Sequence, residues 1–153
     1  MIYQTDLKLG QEIEIVKEFL ENEAARYRGK LSWHCFVDSE VDTELVVPRS
    51  LIQTFAEQAI TSDLILNGEG GRIEVSVYKT ELGVLAMVTD NGIIDGKKSA
   101  VHQHQKEKLI CLDEYLSLFN SRNKHSIQYS ILGRSQGYIG ASGSRVLITI
   151  QHQ

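Results

Sequence analysis

Four short stretches of this sequence carry residue types able to do chemistry: the adjoining Glu57 and Gln58, the tripeptide Asp90-Asn91-Gly92, the imidazoles of His102 and His104, and the pair Gly143-Ser144. Each has a plain alternative when read in isolation. Glu57 and Gln58 fall on the polar side of an amphipathic helix, where charges are usually solvated. Asp-Asn-Gly after an apolar strand is a common turn signal, and glycine then serine before a strand is generic. His102 and His104 flank one residue, a spacing that would put both rings on one side of an extended segment. A metal site needs further ligands, so a solvated loop is the simpler reading. Cys35 and Cys111 lack any CxxC-type spacing, which argues against a zinc site or a disulfide framework and for a reducing compartment. Trp33 reads as a core residue of a strand, and Cys111 as a buried apolar residue of a helix.

The elements that must position these residues follow from apolar periodicity. Ile13, Val16, Phe19, Leu20 and Ala24 recur at spacings of three and four, so a helix is expected over Gln11 to Arg26, closed by Gly29. A strand over Leu31–Val37 and a polar turn come next. Pro48, the only proline, suits the first turn of a second helix, whose buried stripe is Leu51, Ile52, Phe55, Ala59 and Ile60. Beyond a glycine-rich exit, Ile73, Val75 and Val77 alternate with polar residues, and Val84 to Val88 is nearly all apolar. These two runs read as a hairpin or as neighbouring strands. Periodicity vanishes between Asp90 and Glu107, which predicts a long polar loop of the functional or mobile kind. A third helix, Lys108 to Asn120, follows on Leu109, Leu112, Leu116 and Phe119. Strands at Ile127–Leu132 and Arg145–Ile150, divided by a turn rich in Gly and Ser, close the chain. The sum is an α+β two-layer sandwich with helices on one face of a mixed sheet.

Length and composition bound the function. The 153 residues fit one core. A formal net charge of -4 gives no broad positive field for a phosphate backbone, so nucleic acid is not an expected partner. No signal peptide opens the sequence, and no apolar run approaches the roughly 18 residues of a spanning helix.

Taken together and in order, VPRSLIQTFAEQAITSD, then VSVYKTELGVLAMVTDNG, then SGSRVLITI resemble the boxes of a GHKL-type (Bergerat) ATP-binding domain. The preceding LGQEIEIVKEFLENEAARYRGKL is similar to the lead-in of LytS-like sensor histidine kinases. The resemblance covers nearly the whole chain. It divides the chain into the end of a dimerisation lead-in helix over 1–28 and an ATP-binding domain over 29–153.

The resemblance also implies roles. Glu57 would polarise the attacking group, and Gln58 would take the place of the asparagine whose carbonyl helps hold Mg²⁺, one methylene further out. Ser62 stands where the family has histidine. Asp90 would accept a hydrogen bond from the adenine amine, with Asn91 and Gly92 completing that box. Gly143 and Ser144 match the family's glycine and threonine, whose hydroxyl meets adenine through water. The family's glycine-rich lid aligns with Lys106, Glu107, Lys108 and Leu109, with Cys111 at its asparagine. Both lid glycines are therefore replaced, and Lys97, Lys98, Lys106 and Lys108 are left as side-chain candidates for phosphate.

By the same resemblance the chain would be the catalytic domain of a two-component sensor histidine kinase, with ATP and Mg²⁺ as cofactors. It would transfer the γ-phosphoryl group to a histidine on a dimerisation helix outside this sequence, with a response regulator as partner and a homodimer as the full-length form. Its place would be the cytoplasmic portion of a membrane-anchored sensor, and Met1 would be a cut made midway through the lead-in. The alternative from another class is an inactive pseudokinase domain kept as a signalling scaffold, which Gln58, Ser62 and the lost glycines suggest. A chaperone, topoisomerase or mismatch-repair ATPase fits less well, because the lead-in is of the kinase type and there is no room for a transducer domain.

Overall fold

The computed structural model describes residues 6–60, 62–65, 68, 70–92, 101–123, 125–132 and 143–152, with the side chains of 62, 63, 101–106, 125 and 152 outside the description. Lys97, Lys98 and the turn over 133–142 lie outside the described residues, as do the side chains of Ser62, His102, His104 and Lys106.

A short strand β1 (Asp6–Lys8) runs directly into helix α1 (Leu9–Arg26). At the junction the Lys8 N–H donates to Gln11 Oε1 at 3.0 Å. The helix buries Leu9, Glu12, Ile13, Val16 and Leu20, and its end is fixed by Gly29 at φ 78°, a left-handed angle that favours glycine. Strand β2 (Leu31–Val37) follows, and then β3 (Val46–Pro48), which pairs antiparallel with β1.

Pro48 therefore ends a strand and does not open a helix. It sits opposite Asp6 at the end of a two-stranded ladder, a place where a missing N–H costs little. Helix α2 (Leu51–Ala59) starts three residues later and buries Leu51, Ile52, Phe55 and Ala56. Ala59 and Ile60 are only partly buried, because the helix stops there.

After a short helical turn α3 (Ser62–Ile65), strands β4 (Gly71–Thr80) and β5 (Gly83–Asp90) form an antiparallel hairpin. Helix α4 (Val101–Arg122) and strands β6 (His125–Leu132) and β7 (Arg145–His152) complete the chain. The expected loop thus gives way to helix at Val101, and the backbone at 102 and 104 is helical, not extended. Gln103, Gln105, Lys106 and Glu107 are good helix formers, but their uniform polarity leaves no apolar stripe to announce the first turns. Leu112, Leu116 and Phe119 are buried as the periodicity requires, whereas Cys111 lies off that face and is exposed. Trp33 packs against the core while remaining partly exposed.

The main sheet has the order β2-β4-β5-β7-β6. Its β2–β4 pair is parallel and the other three are antiparallel, so it is mixed. Ile73, Val75, Val77, Val84, Ala86, Val88, Val146, Ile148 and Ile150 form its buried face, and the helices cover that side. The α+β two-layer expectation holds. Leu9, Ile13, Val16 and Leu20 of α1 belong to this same core.

One charged group is buried with it. Glu12 has no exposed surface, and burial raises its carboxyl to about 7 against the pull of the Ser50, Gln53 and Ile52 backbone and of Arg49. Between the unfolded value of 4.5 and about 7 the folded chain holds more protons than the unfolded one. The Glu12 contribution to stability therefore falls as pH rises through that window and is constant on either side of it. We expect Glu12 to contribute a decline of up to about 3 kcal/mol, seen in urea melts taken across the window. Glu12→Gln should flatten that part of the curve, and an unchanged slope in the variant would assign the decline elsewhere.

Candidate nucleotide site at the end of the central strands

Strand β5 ends at Asp90, and β7 begins one residue after Ser144. Because Thr89 pairs with Arg145, the next step along both strands brings Asp90 against Ser144. The Asp90 N–H donates to the Ser144 carbonyl at 3.0 Å. The Ser144 hydroxyl donates to Asp90 Oδ2 at 2.6 Å, a charge-assisted bond. Asp90 Oδ1 accepts the Gly92 N–H at 2.9 Å. The turn that Asp-Asn-Gly announces is therefore real, and it leaves a carboxylate tied to the facing strand.

Gly143 is held in the same corner. Its φ is 106°, and a Cβ on it would fall 1.7 Å from the Asp90 carbonyl oxygen, so no side chain fits between the two strands. Asn91 works outward from here: its Oδ1 accepts the Arg72 N–H at 2.6 Å and its Nδ2 donates to the Gly70 carbonyl at 3.0 Å. It thus pins the start of β4 to the end of β5. Buried Leu64 of α3 lies beside Gly92. Gly92, Gly143 and Ser144 each contact Asp90, and Asn91 is the clamp beside them.

Glu57 and Gln58 occupy the last turn of α2, which packs on β5 and meets α4. Both are partly exposed. Glu57 Oε1 accepts from Gln53 Nε2 at 3.1 Å, and Oε2 accepts from Lys108 Nζ at 3.0 Å. The lysine comes from the segment aligned with the family's lid, and sequence reasoning did not foresee its link to Glu57. As a half-exposed pair it is worth little in stability, but it occupies the carboxylate. Residues 106 to 109 are helical. Past the first turn of a helix the N–H groups are bonded within it, so this segment offers a triphosphate its side chains and not a run of free amides. Among the described residues no group of three His, Cys, Asp or Glu side chains gathers to hold a metal ion. Gln58 remains an amide-oxygen candidate.

No family model matches the sequence. Over 90 residues, 58% of this chain, it is 34% identical to the sensor histidine kinase/phosphatase LytS of Staphylococcus aureus, and the match spans 15% of that protein's length. The catalytic domain of the histidine kinase ThkA superposes over 99% of this chain and 97% of its own, with a TM-score of 0.58 and 15% identity. The histidine kinase domain of the blue-light activated kinase from Erythrobacter litoralis superposes over 99% of this chain and 69% of its own, with a TM-score of 0.57 and 12% identity.

The chain has the histidine kinase catalytic-domain fold. Within that fold, Asp90 and Ser144 stand at the end of the central strand pair, and Glu57 stands on the helix packed against it. A third likeness, over 96% of this chain and 41% of the other with a TM-score of 0.51, is to ThkA in complex with the response regulator TrrA. Among the described residues no helix is long and apolar enough to cross a membrane.

The corner makes an energetic prediction. Gly143→Ala should lower the unfolding free energy by about 3 kcal/mol or more, since it adds both a steric clash and a strained φ. Ser144→Ala, which removes one hydrogen bond to a charge, should cost about 1 to 2 kcal/mol. Urea melts of the two variants test the order, and an unaffected Gly143→Ala midpoint would mean the strands are not in this contact.

Proposed function

We propose that this chain is the ATP-binding catalytic domain of a two-component sensor histidine kinase. The observation that carries the proposal is the Asp90 carboxylate, bonded to Ser144 across the strand pair with Gly143 pressed against its backbone. A carboxylate fixed in this way can accept one exocyclic amine in a set direction. The fold and the partial likeness to LytS support the reading.

In this reading Asp90 receives the adenine amine, and the Ser144 hydroxyl keeps the carboxylate aligned and binds a water at the base edge. Asn91 and Gly92 hold the turn beneath. Bound ATP with Mg²⁺ supplies the γ-phosphoryl group and the cation that draws charge from it. Gln58 would offer its amide oxygen to the metal, and Glu57 would orient the acceptor imidazole and take up its proton as the γ-phosphoryl group passes to the ring nitrogen and ADP leaves. For Glu57 to do so, the Lys108 ammonium must move off Oε2, and a triphosphate is the anion able to draw it away.

The adenine end fits the nucleotide through residues of the sheet itself. The phosphate end would rely on lysine side chains, Lys108 among them, in place of a glycine-rich backbone. The acceptor histidine, the homodimer, the response regulator and a place on the cytoplasmic side of a membrane sensor belong to the whole protein, and we include them in the proposal.

Titration calorimetry of the chain with ATP and ADP, with and without Mg²⁺, is the test. We expect binding in the micromolar to low millimolar range that Mg²⁺ strengthens. Asp90→Ala should abolish it while circular dichroism stays native. A folded wild type that ignores millimolar nucleotide would leave the scaffold alternative in possession of the fold. Unchanged affinity in Asp90→Ala would mean that adenine sits elsewhere.

A further inference from the structure

Glu12 is the one charged residue without exposed surface among those described, and the activity proposed above does not use it. It lies on α1, yet its Oε1 accepts the N–H of Ser50 at 2.8 Å, 38 positions along the chain. The backbone of Ile52 and Gln53 acts on the same carboxylate, and Arg49 is the charged side chain that acts on it. Oε2 has no hydrogen-bond partner among the described residues.

Ser50 needs this help. As the residue before α2 it would ordinarily be extended and cap the helix with its own hydroxyl. Here it sits at φ 67° and ψ 17°, in the left-handed region, with no side-chain cap bond. A non-glycine residue keeps such a conformation only where its surroundings impose it. A carboxyl group at the positive end of the helix supplies the acceptor, and the helix end eases the burial of its charge. Helix α2 is a single rigid piece from that anchor, and Glu57 lies about two turns, or about 10 Å, further on. Whatever sets the first turn of so short a helix sets its last.

We propose that Glu12 is a positioning residue for the nucleotide site: by capping α2 from α1, it fixes the height and rotation at which Glu57 and Gln58 are presented. The inference rests on reading those two as site residues. A merely stabilising Glu12 would leave their placement indifferent to its state.

Because the Glu12 carboxyl titrates near 7, the cap changes charge in a range where the whole chain is readily handled. The test is a pH series of amide NMR spectra of the full chain, wild type and Glu12→Gln, from about pH 5 to about pH 9. The Ser50, Ile52 and Gln53 amides should move with a common midpoint near about 7, and the Glu57 and Gln58 amides should move with them. In Glu12→Gln that transition should vanish from all five, while any histidine titration persists in both proteins. Calorimetry adds a second readout: Glu12→Ala should weaken Mg·ATP binding about tenfold, and Glu12→Gln, which still offers Ser50 an oxygen, should restore most of it.

Movement at Ser50 without movement at Glu57 and Gln58 would reduce Glu12 to a helix cap and overturn the proposal. A Ser50 amide that neither moves with pH nor differs between wild type and Glu12→Gln would overturn the cap itself. If the wild type binds no nucleotide, the functional reading fails on its own account, and the amide series still decides whether Glu12 positions α2. The same series decides if Glu12→Ala does not fold.

Discussion

Antiparallel pairing of β5 with β7 is the constraint from which the site's geometry follows. These strands sit within the sheet, each with a neighbour on both sides, so their register is set along their whole length by the apolar side chains they turn inward. Slipping it by one residue would carry Val84, Ala86 and Val88 to the wrong face. The same register decides that, across this strand pair, Asp90 meets Ser144. The corner is therefore as rigid as the core that specifies it, and its polar atoms are aligned before any ligand arrives.

The other half of the candidate site is built differently. Glu57 and Gln58 stand at the end of a nine-residue helix, and Lys108 reaches Glu57 from a second helix across a half-exposed gap. Contacts of this kind are cheap to remake. A site with one end set by a sheet and the other closed by a half-exposed ion pair is suited to holding a base firmly while the side chains around a phosphate chain rearrange.

Much of this was legible in the sequence because it depends on period. Ile73, Val75 and Val77 announce a strand with one dry face, and Leu112, Leu116 and Phe119 announce a helix. Asp90 and Ser144 were singled out separately, and their contact follows once the two strands are placed side by side. What escaped were features that depend on the partner of a residue and not on its spacing. Pro48 is compatible with a helix start and with the end of an edge strand, and only the pairing with β1 decides. After Val101 the first turns of α4 are polar, so no stripe marked them. Cys111 is one position away from the buried Leu112 and faces another way. Glu12 did leave a trace, as an acid set among Leu9, Ile13 and Val16 on the apolar side of α1. Its target, Ser50, is too distant in sequence for any local pattern to connect them. The Lys108 link to Glu57 has no sequence signal at all.

The depth at which α1 is set has a practical side for anyone trimming this chain. Gly29 looks like an inviting place to begin a shorter fragment, because the helix ends there and a strand follows. A fragment begun at that point would strip away Leu9, Ile13, Val16 and Leu20, all of them in the core. It would also leave the left-handed Ser50 without the acceptor that holds it. The expression boundary that respects the physics lies ahead of β1, so that the strand, the helix and the carboxylate they deliver travel with the sheet they cover.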